Sequence, residues 1–162
     1  MAEPQDKQIM DKLVVEDITA LREYVGKDLP TGEWITVTQE MINDFAKATG
    51  DHQWIHTDVE KAQKLSPFKK TIAHGFLSVS LLAGLGDLME VKSSKMGVNY
   101  GLNKVRFPSP VPSGSRVRLQ PRITSIEPYG ENGVKITWKC VLELENSPKP
   151  ACVAEFISLM FE

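Results

Sequence analysis

The sequence predicts an α+β fold in which an antiparallel β-sheet wraps around one long central helix. Apolar residues go nearly all round a helix candidate that runs from Gly75 to Leu88, and a helix that is hydrophobic on every face is buried. Nearly all of the chain beyond residue 95 instead alternates between apolar and polar residues, which is the pattern of half-buried strands. Strands that follow one buried helix are typical of a sheet packed on that helix.

The first part of the chain is predicted to contain two helices and a short strand. Residues 1–14 are polar and charged, and they are predicted to form a loose segment ahead of a single domain over 15–162. Apolar residues at helical spacing predict a short amphipathic helix over 15–25, and 34–37 has the character of a brief strand. Thr38 then offers an N-cap for a second helix.

The second helix is predicted to end just before the first candidate functional residue. Gly50 occupies the position of a C-terminal helix glycine, so Asp51 is the first polar side chain after the helix. Asp51 therefore lies on an irregular segment, where functional groups are concentrated. One helical turn is predicted around 59–64, and the Ser-Pro-Phe run at 66–68 ends it.

The second half of the chain is predicted to form the sheet. Strands are predicted over 96–107, 117–123, 134–144 and 151–161. The alternation changes phase between Leu102 and Val105, which indicates a bulge. Pro121 predicts an edge or a bulge in its strand, and 130–133 (GENG) is typical of a hairpin turn. The edges of such a sheet favour pairing with a second copy, so a homodimer is expected.

Composition and charge exclude several classes of protein. The net charge of −2 gives no electrostatic reason to bind nucleic acid or an anionic membrane surface. The longest apolar stretch, 75–85, is too short to span a bilayer, and the N-terminus has no apolar signal core, so a cytoplasmic protein is expected. Cys140 is expected to be a small core residue, without a disulfide to Cys152.

All three histidines fall in one short window with a carboxylate at its front. Asp51 and His56 are five residues apart, and a carboxylate beside an imidazole makes a natural proton-transfer pair. Taken alone, Asp51 could be a polar cap and His56 a hydrogen-bonded loop residue. The apolar neighbours Trp54 and Ile55 favour a paired catalytic role for the two.

A zinc site is the first alternative. His52 and His56 have i,i+4 spacing, and His74 or Asp51 could add a third ligand. The helical metalloprotease signature requires a glutamate after its first histidine, but Gln53 occupies that position. The glycine before Asp51 also argues against a continuous helix, so no metal is expected.

The start of the central helix is the second candidate feature. The first N–H groups of a helix have no partner within it, so Gly75 could present an oxyanion donor beside His74. The alternative is that Gly75 only permits close packing and that His74 is a satisfied buried side chain. Ser80, expected to be buried two turns further on, could equally be a polar helix residue bonded to a carbonyl.

Four stretches resemble the MaoC-like dehydratase family, hot-dog-fold proteins that include the R-specific enoyl-CoA hydratases. They are 50–58 (GDHQWIHTD), 66–68 (SPF), 71–77 (TIAHGFL) and 99–107 (NYGLNKVRF). The first stretch is most similar to the nodulation-protein-N-like branch of the family. The resemblance covers roughly residues 15–161 and implies a hot-dog fold.

The resemblance implies a function and a role for each candidate residue. It implies that Asp51 and His56 hold and activate a water, and that Gly75 supplies an oxyanion N–H, with Ser80 and His74 beside the substrate. The implied reaction is R-specific hydration of trans-2-enoyl thioesters of coenzyme A or acyl carrier protein. It needs no cofactor, because the thioester itself acidifies the α position.

One departure and two alternatives remain. Many hydratases carry Asn-Pro where this chain has Gln53 and Trp54, which concerns the preferred acyl length more than the chemistry. Hot-dog folds also host acyl-CoA thioesterases, and a non-catalytic protein that binds acyl thioesters is a third possibility, since a fold does not fix a function.

Overall fold

The computed structural model describes residues 11–162. Its main element is a five-stranded antiparallel sheet. The helices are α1 (Ile18–Arg22), α2 (Gln39–Thr49), α3 (Trp54–Thr57), α4 (Val59–Leu65), α5 (Gly75–Ser80) and α6 (Leu85–Leu88). The strands are β1 (Leu13–Val15), β2 (Ile35–Thr36), β3 (Met89–Val91), β4 (Met96–Arg106), β5 (Arg116–Tyr129), β6 (Gly133–Leu144) and β7 (Cys152–Phe161). The large sheet has the order β2-β5-β6-β7-β4, and β1 pairs with β3 in a small parallel sheet.

The core lies between one face of the large sheet and the central helix. Side chains alternate across a strand, so every second residue of β6 is buried on the same face. Trp138 is the largest of the fully buried side chains, and its indole N–H donates to the hydroxyl of Ser158 over 2.9 Å. This bond satisfies a polar group whose burial without a partner would destabilise the fold.

The irregularities predicted in the sheet are present. The β4–β7 register shifts between Leu102 and Lys104, which confirms the predicted bulge, and a further shift occurs between Asn99 and Gly101. Pro121 pairs with β6 on one side, whereas β2 covers only the first two residues of β5 on the other. Proline is tolerated there because its missing N–H would face an unpaired edge.

The central helix differs from the prediction in two ways. A 3-10 turn, Leu81–Gly84, separates α5 from α6, so the predicted helix over 75–88 is not continuous. The prediction that it is buried on every face is wrong for the single chain, because Phe76 is 76% exposed. Leu77, Leu82 and Leu85 face the core, but the opposite side of the helix is open.

The N-terminal helix α1 is shorter than predicted. Residues 1–10 of the predicted loose segment lie outside the described residues, while 13 and 14 belong to β1. Because β1 also takes Val15, α1 starts only after Asp17, whose carboxylate accepts the N–H of Ala20 over 2.8 Å. Within residues 11–162, no helix is long and apolar enough to cross a bilayer.

The two cysteines are buried free thiols, and burial sets their chemistry. Desolvation raises the pKa of Cys140 to about 12, with a smaller contribution from the charge of Cys152, and raises the pKa of Cys152 to about 11. The folded state therefore holds both thiol protons more tightly than the unfolded state does. The contribution of the thiols to the free energy of unfolding is complete below pH 9.0 and is lost as the pH rises through the folded pKa values.

We expect neither thiol to react with a disulfide reagent such as DTNB at pH 8 in the native protein, because the thiolate is the reactive form. Both should react once the chain is unfolded in guanidinium chloride. The alkaline fall in the free energy of unfolding should become shallower in Cys140→Ala. Stoichiometric labelling of the native protein would contradict the burial of these side chains.

Candidate active site

Asp51 comes directly after Gly50, the C-cap of α2. Thr38 caps this helix by accepting the N–H of Met41 over 3.2 Å, as predicted. Gly50 ends it in the left-handed conformation, with φ of 81° and its N–H bonded to the carbonyl of Ala46 over 2.8 Å. The chain then turns out of the helix, and the carboxylate of Asp51 is exposed.

The single helical turn α3 carries His56 into a buried position, 8% exposed. Its Nδ1 lies 2.6 Å from the carbonyl oxygen of Ile72. A carbonyl oxygen can only accept, so Nδ1–H is the donor, and the neutral ring then carries its lone pair on Nε2. One backbone contact thus fixes the tautomer in which Nε2 can accept a proton.

His74 contacts both members of the predicted pair. Its Nε2–H donates to the main-chain carbonyl of Asp51 over 3.0 Å. Its ring stacks on that of His56, with centroids 3.9 Å apart and planes inclined by 26°. Among the described residues, Nδ1 of His74 is the buried side-chain polar atom that has no hydrogen-bond partner. His74 therefore holds the main chain of one residue of the pair and the ring of the other.

The three predicted polar residues converge in space. One ligand atom each from Asp51, His56 and His74 lie within 4.8 Å of one another. Two atoms that each hydrogen-bond the same water at about 2.8 Å are separated by roughly 4.5 Å. A separation of at most 4.8 Å leaves room for one water between the Asp51 carboxylate and a ring nitrogen of His56.

The same cluster is poorly arranged for a metal ion. Histidine binds a metal through a lone pair in the ring plane at about 2.0–2.1 Å. The rings of His56 and His74 are stacked and nearly parallel, so their in-plane lone pairs do not converge on one point. The arrangement favours hydrogen bonding over metal ligation, and the absence of a metal remains a prediction.

Gly75 is tightly packed on one side and has an unpaired N–H among the described residues. A Cβ at this position would lie 2.9 Å from the ring of Phe107, so glycine is required for close packing. Among the hydrogen bonds between described residues, none uses the N–H of Gly75. The residue therefore permits a close contact on one side and leaves a free donor at the start of α5, next to His74.

Among the described residues, Ser80 makes no hydrogen bond to the histidine cluster. Its hydroxyl donates to the carbonyl of Phe76 over 2.7 Å, and the residue is exposed rather than buried. Ser80 lines an apolar cleft of about 590 Å³ between the central helix and strands β4 and β7. The residues that line this cleft on β4 are Gly97, Val98, Asn99, Gly101 and Leu102.

Gln39 was not identified from the sequence. This residue of α2 donates from Nε2 to the carbonyl of His56 over 2.8 Å and to Oδ1 of Asn43 over 2.9 Å. Its Oε1 accepts the hydroxyl of Thr71. The i,i+4 spacing of Gln39 and Asn43 is visible in the sequence, but nothing in the sequence indicates a bond to the main chain of His56.

The comparisons with known proteins agree with the resemblance found in the sequence. Residues 21–141 match the model of the MaoC like domain family. The chain is 50% identical to 3-hydroxyacyl-thioester dehydratase Z of Mycobacterium tuberculosis, over 88% of this chain and 94% of that protein. It is 43% identical to Nodulation protein N of Rhizobium leguminosarum bv. viciae, over 93% of each.

Solved structures confirm the predicted hot-dog fold. The monoamine oxidase regulatory protein from Archaeoglobus fulgidus has a TM-score of 0.76 and 25% identity, covering 94% of this chain and 99% of its own. The R-hydratase PhaJ1 from Pseudomonas aeruginosa has a TM-score of 0.65 and 21% identity, covering 83% and 81%. At these identities the likeness to the hydratase concerns the fold.

We expect Gly75→Ala to destabilise the protein by about 1–3 kcal/mol, because the added methyl group displaces the Phe107 ring. In a Phe107→Ala background the same change should cost much less, which a double-mutant cycle of urea unfolding would measure. Gly86→Ala is the matched control, since a Cβ there meets nothing within 4 Å. Equal costs of Gly75→Ala in both backgrounds would rule out the close contact.

Proposed function

The chain belongs to the MaoC like domain family, and we propose that it is an R-specific 3-hydroxyacyl-thioester dehydratase. The reaction interconverts a trans-2-enoyl thioester and water with a 3-hydroxyacyl thioester. The observation that carries the proposal is the convergence of the Asp51 carboxylate and the His56 imidazole, with the tautomer of His56 fixed by Ile72. The 50% identity to a 3-hydroxyacyl-thioester dehydratase supports it.

Asp51 and His56 act on a water held between them. As the water oxygen attacks C3 of the enoyl thioester, one of the pair takes a proton from the water, and Nε2 of His56 has the free lone pair for this step. A proton is delivered to C2 through the same pair. The elements of water are added across the double bond, and both side chains return to their starting protonation states.

The thioester carbonyl needs stabilisation while C2 is still unprotonated. Attack at C3 places enolate charge on the carbonyl oxygen, and the free N–H of Gly75 is the donor that we assign to it. A single donor of this kind typically lowers the barrier by about 2.7–4 kcal/mol. The reaction requires no organic cofactor, because the thioester supplies the electron sink itself.

The apolar cleft supports binding of an acyl chain, and the open edge of the sheet supports pairing with a second copy of the chain. The cleft of about 590 Å³ is apolar enough to take an acyl chain, and residues of β4 line part of it. Strand β4 is the edge of the sheet and carries exposed apolar side chains, among them Met96, Tyr100 and Leu102. Pairing of two copies along β4 would cover these side chains and close the cleft.

We expect Asp51→Asn and His56→Ala each to lower kcat/KM for hydration of crotonyl-CoA by about 100-fold or more, because positioned acid–base groups contribute 10²–10⁴. Loss of the enoyl absorbance measures the rate, and chiral analysis of the product should give the 3R alcohol. His52→Ala is the matched control, since His52 is an exposed histidine in the same loop.

Three results would oppose this function. A loss of less than about tenfold in either variant would argue against the assigned roles. Release of free thiol from the acyl-CoA would indicate a thioesterase. Thermal stabilisation by crotonyl-CoA without any absorbance change would indicate a protein that binds acyl thioesters without converting them.

We also expect the protein to sediment as a dimer and Tyr100→Asp to shift it to the monomer, because a charge would replace the exposed aromatic side chain of β4. Hydratase activity should fall with the dimer fraction if the second copy closes the cleft. Leu65→Asp, at an apolar residue on α4 that is even more exposed than Tyr100, should leave the dimer intact. A monomeric wild type would contradict pairing along β4.

A further inference from the structure

We propose that Gln39 is a positioning residue for the Asp51/His56 pair. It holds the main chain of His56 against the segment that fixes the tautomer of the His56 ring. This inference rests on the proposed function for its catalytic consequence, but the geometry that supports it is independent of the reaction. Gln39 touches neither the water nor the thioester in this scheme and acts only through His56.

The carboxamide of Gln39 joins three segments of the chain. From α2, Nε2 reaches the carbonyl of His56 over 2.8 Å, seventeen residues along the chain. Oε1 accepts the hydroxyl of Thr71, thirty-two residues along the chain. Thr71 is 2% exposed and Gln39 is itself partly buried, so these bonds are shielded from competing water.

The orientation of the Gln39 amide follows from its partners. Nε2 faces two acceptors, the carbonyl of His56 and Oδ1 of Asn43, while Oε1 faces a hydroxyl that can donate. The flipped amide would set its oxygen against the carbonyl of His56 and leave that acceptor unpaired. Asn43 therefore helps to hold the one orientation in which Gln39 can donate to the catalytic loop.

The segment at the other end of this link is firmly anchored. The N–H of Ser113 donates to the carbonyl of Thr71 over 2.9 Å, and the N–H of Ala73 donates to the carbonyl of Val111 over 2.8 Å. Between them, Ile72 receives the Nδ1–H of His56 on its carbonyl. Gln39 thus ties the main chain of His56 to the same rigid segment that holds its ring.

Loss of this link should displace or loosen the imidazole without removing any group that contacts substrate. Small misplacements of a reacting group can cost about 100-fold in rate. We therefore expect Gln39→Met, which keeps the length of the side chain but neither donates nor accepts strongly, to lower kcat by about 10- to 100-fold. KM should change by less than about threefold, because Gln39 contacts neither the acyl chain nor the thioester in this scheme.

Four variants, compared with the wild type, separate positioning from loss of stability. Thr71→Val removes the donor to Oε1, and Thr71→Ser restores it, so the serine variant should recover most of the lost kcat. Gln63→Met makes the same chemical change at an exposed position of α4 and should retain wild-type activity. All rates are measured well below the unfolding midpoint of the least stable variant, so that each chain is folded.

A measurement that does not depend on enzymatic activity completes the test. ¹⁵N NMR of the imidazole nitrogens should give a single Nδ1–H tautomer for His56 in the wild type and in Gln63→Met, and a mixture of tautomers in Gln39→Met. Wild-type kcat together with an unchanged tautomer in Gln39→Met would overturn the inference. If Asp51→Asn and His56→Ala stay active while Gln39→Met still mixes the tautomers, the positioning role stands and the proposed function fails.

Discussion

Two hydrogen bonds from imidazole rings to backbone carbonyls hold the site together, and the rest of its geometry depends on them. The carbonyl of Ile72 accepts the Nδ1–H of His56, and the carbonyl of Asp51 accepts the Nε2–H of His74. Each bond selects one tautomer, because a carbonyl cannot donate. The first leaves the lone pair on Nε2 of His56, and the second fixes the main chain that carries the Asp51 carboxylate.

The fold supplies these carbonyls by ending elements at defined places. Gly50 stops α2 in a left-handed turn, so the chain leaves the helix with Asp51 beside the ring of His74. The stacking of His74 on His56 then sets the distance between the two halves of the site. Phe107, the residue that follows β4, packs on Gly75 at the start of the central helix and leaves no room for a side chain there.

The sequence predicted the parts of the site that lie within one loop. Asp51 and His56 could be placed together because a helix cap at Thr38 and a glycine at 50 located the loop between them. The hydrogen bonds of His74 and Gln39 to main-chain carbonyls could not be predicted, because every residue type carries the same backbone acceptor. The exposed side of the central helix was missed because apolar character does not distinguish burial in one chain from burial between two copies.

A crystal structure with butyryl-CoA, a saturated thioester that cannot take up water, tests the central claim most directly. The account predicts one ordered water within about 2.6–3.2 Å of both the Asp51 carboxylate and Nε2 of His56, facing C3 of the acyl chain. It also predicts the thioester oxygen at about 2.7–3.1 Å from the N–H of Gly75. A thioester bound away from these groups, or Asp51 and His56 turned apart with no shared water, would contradict the account.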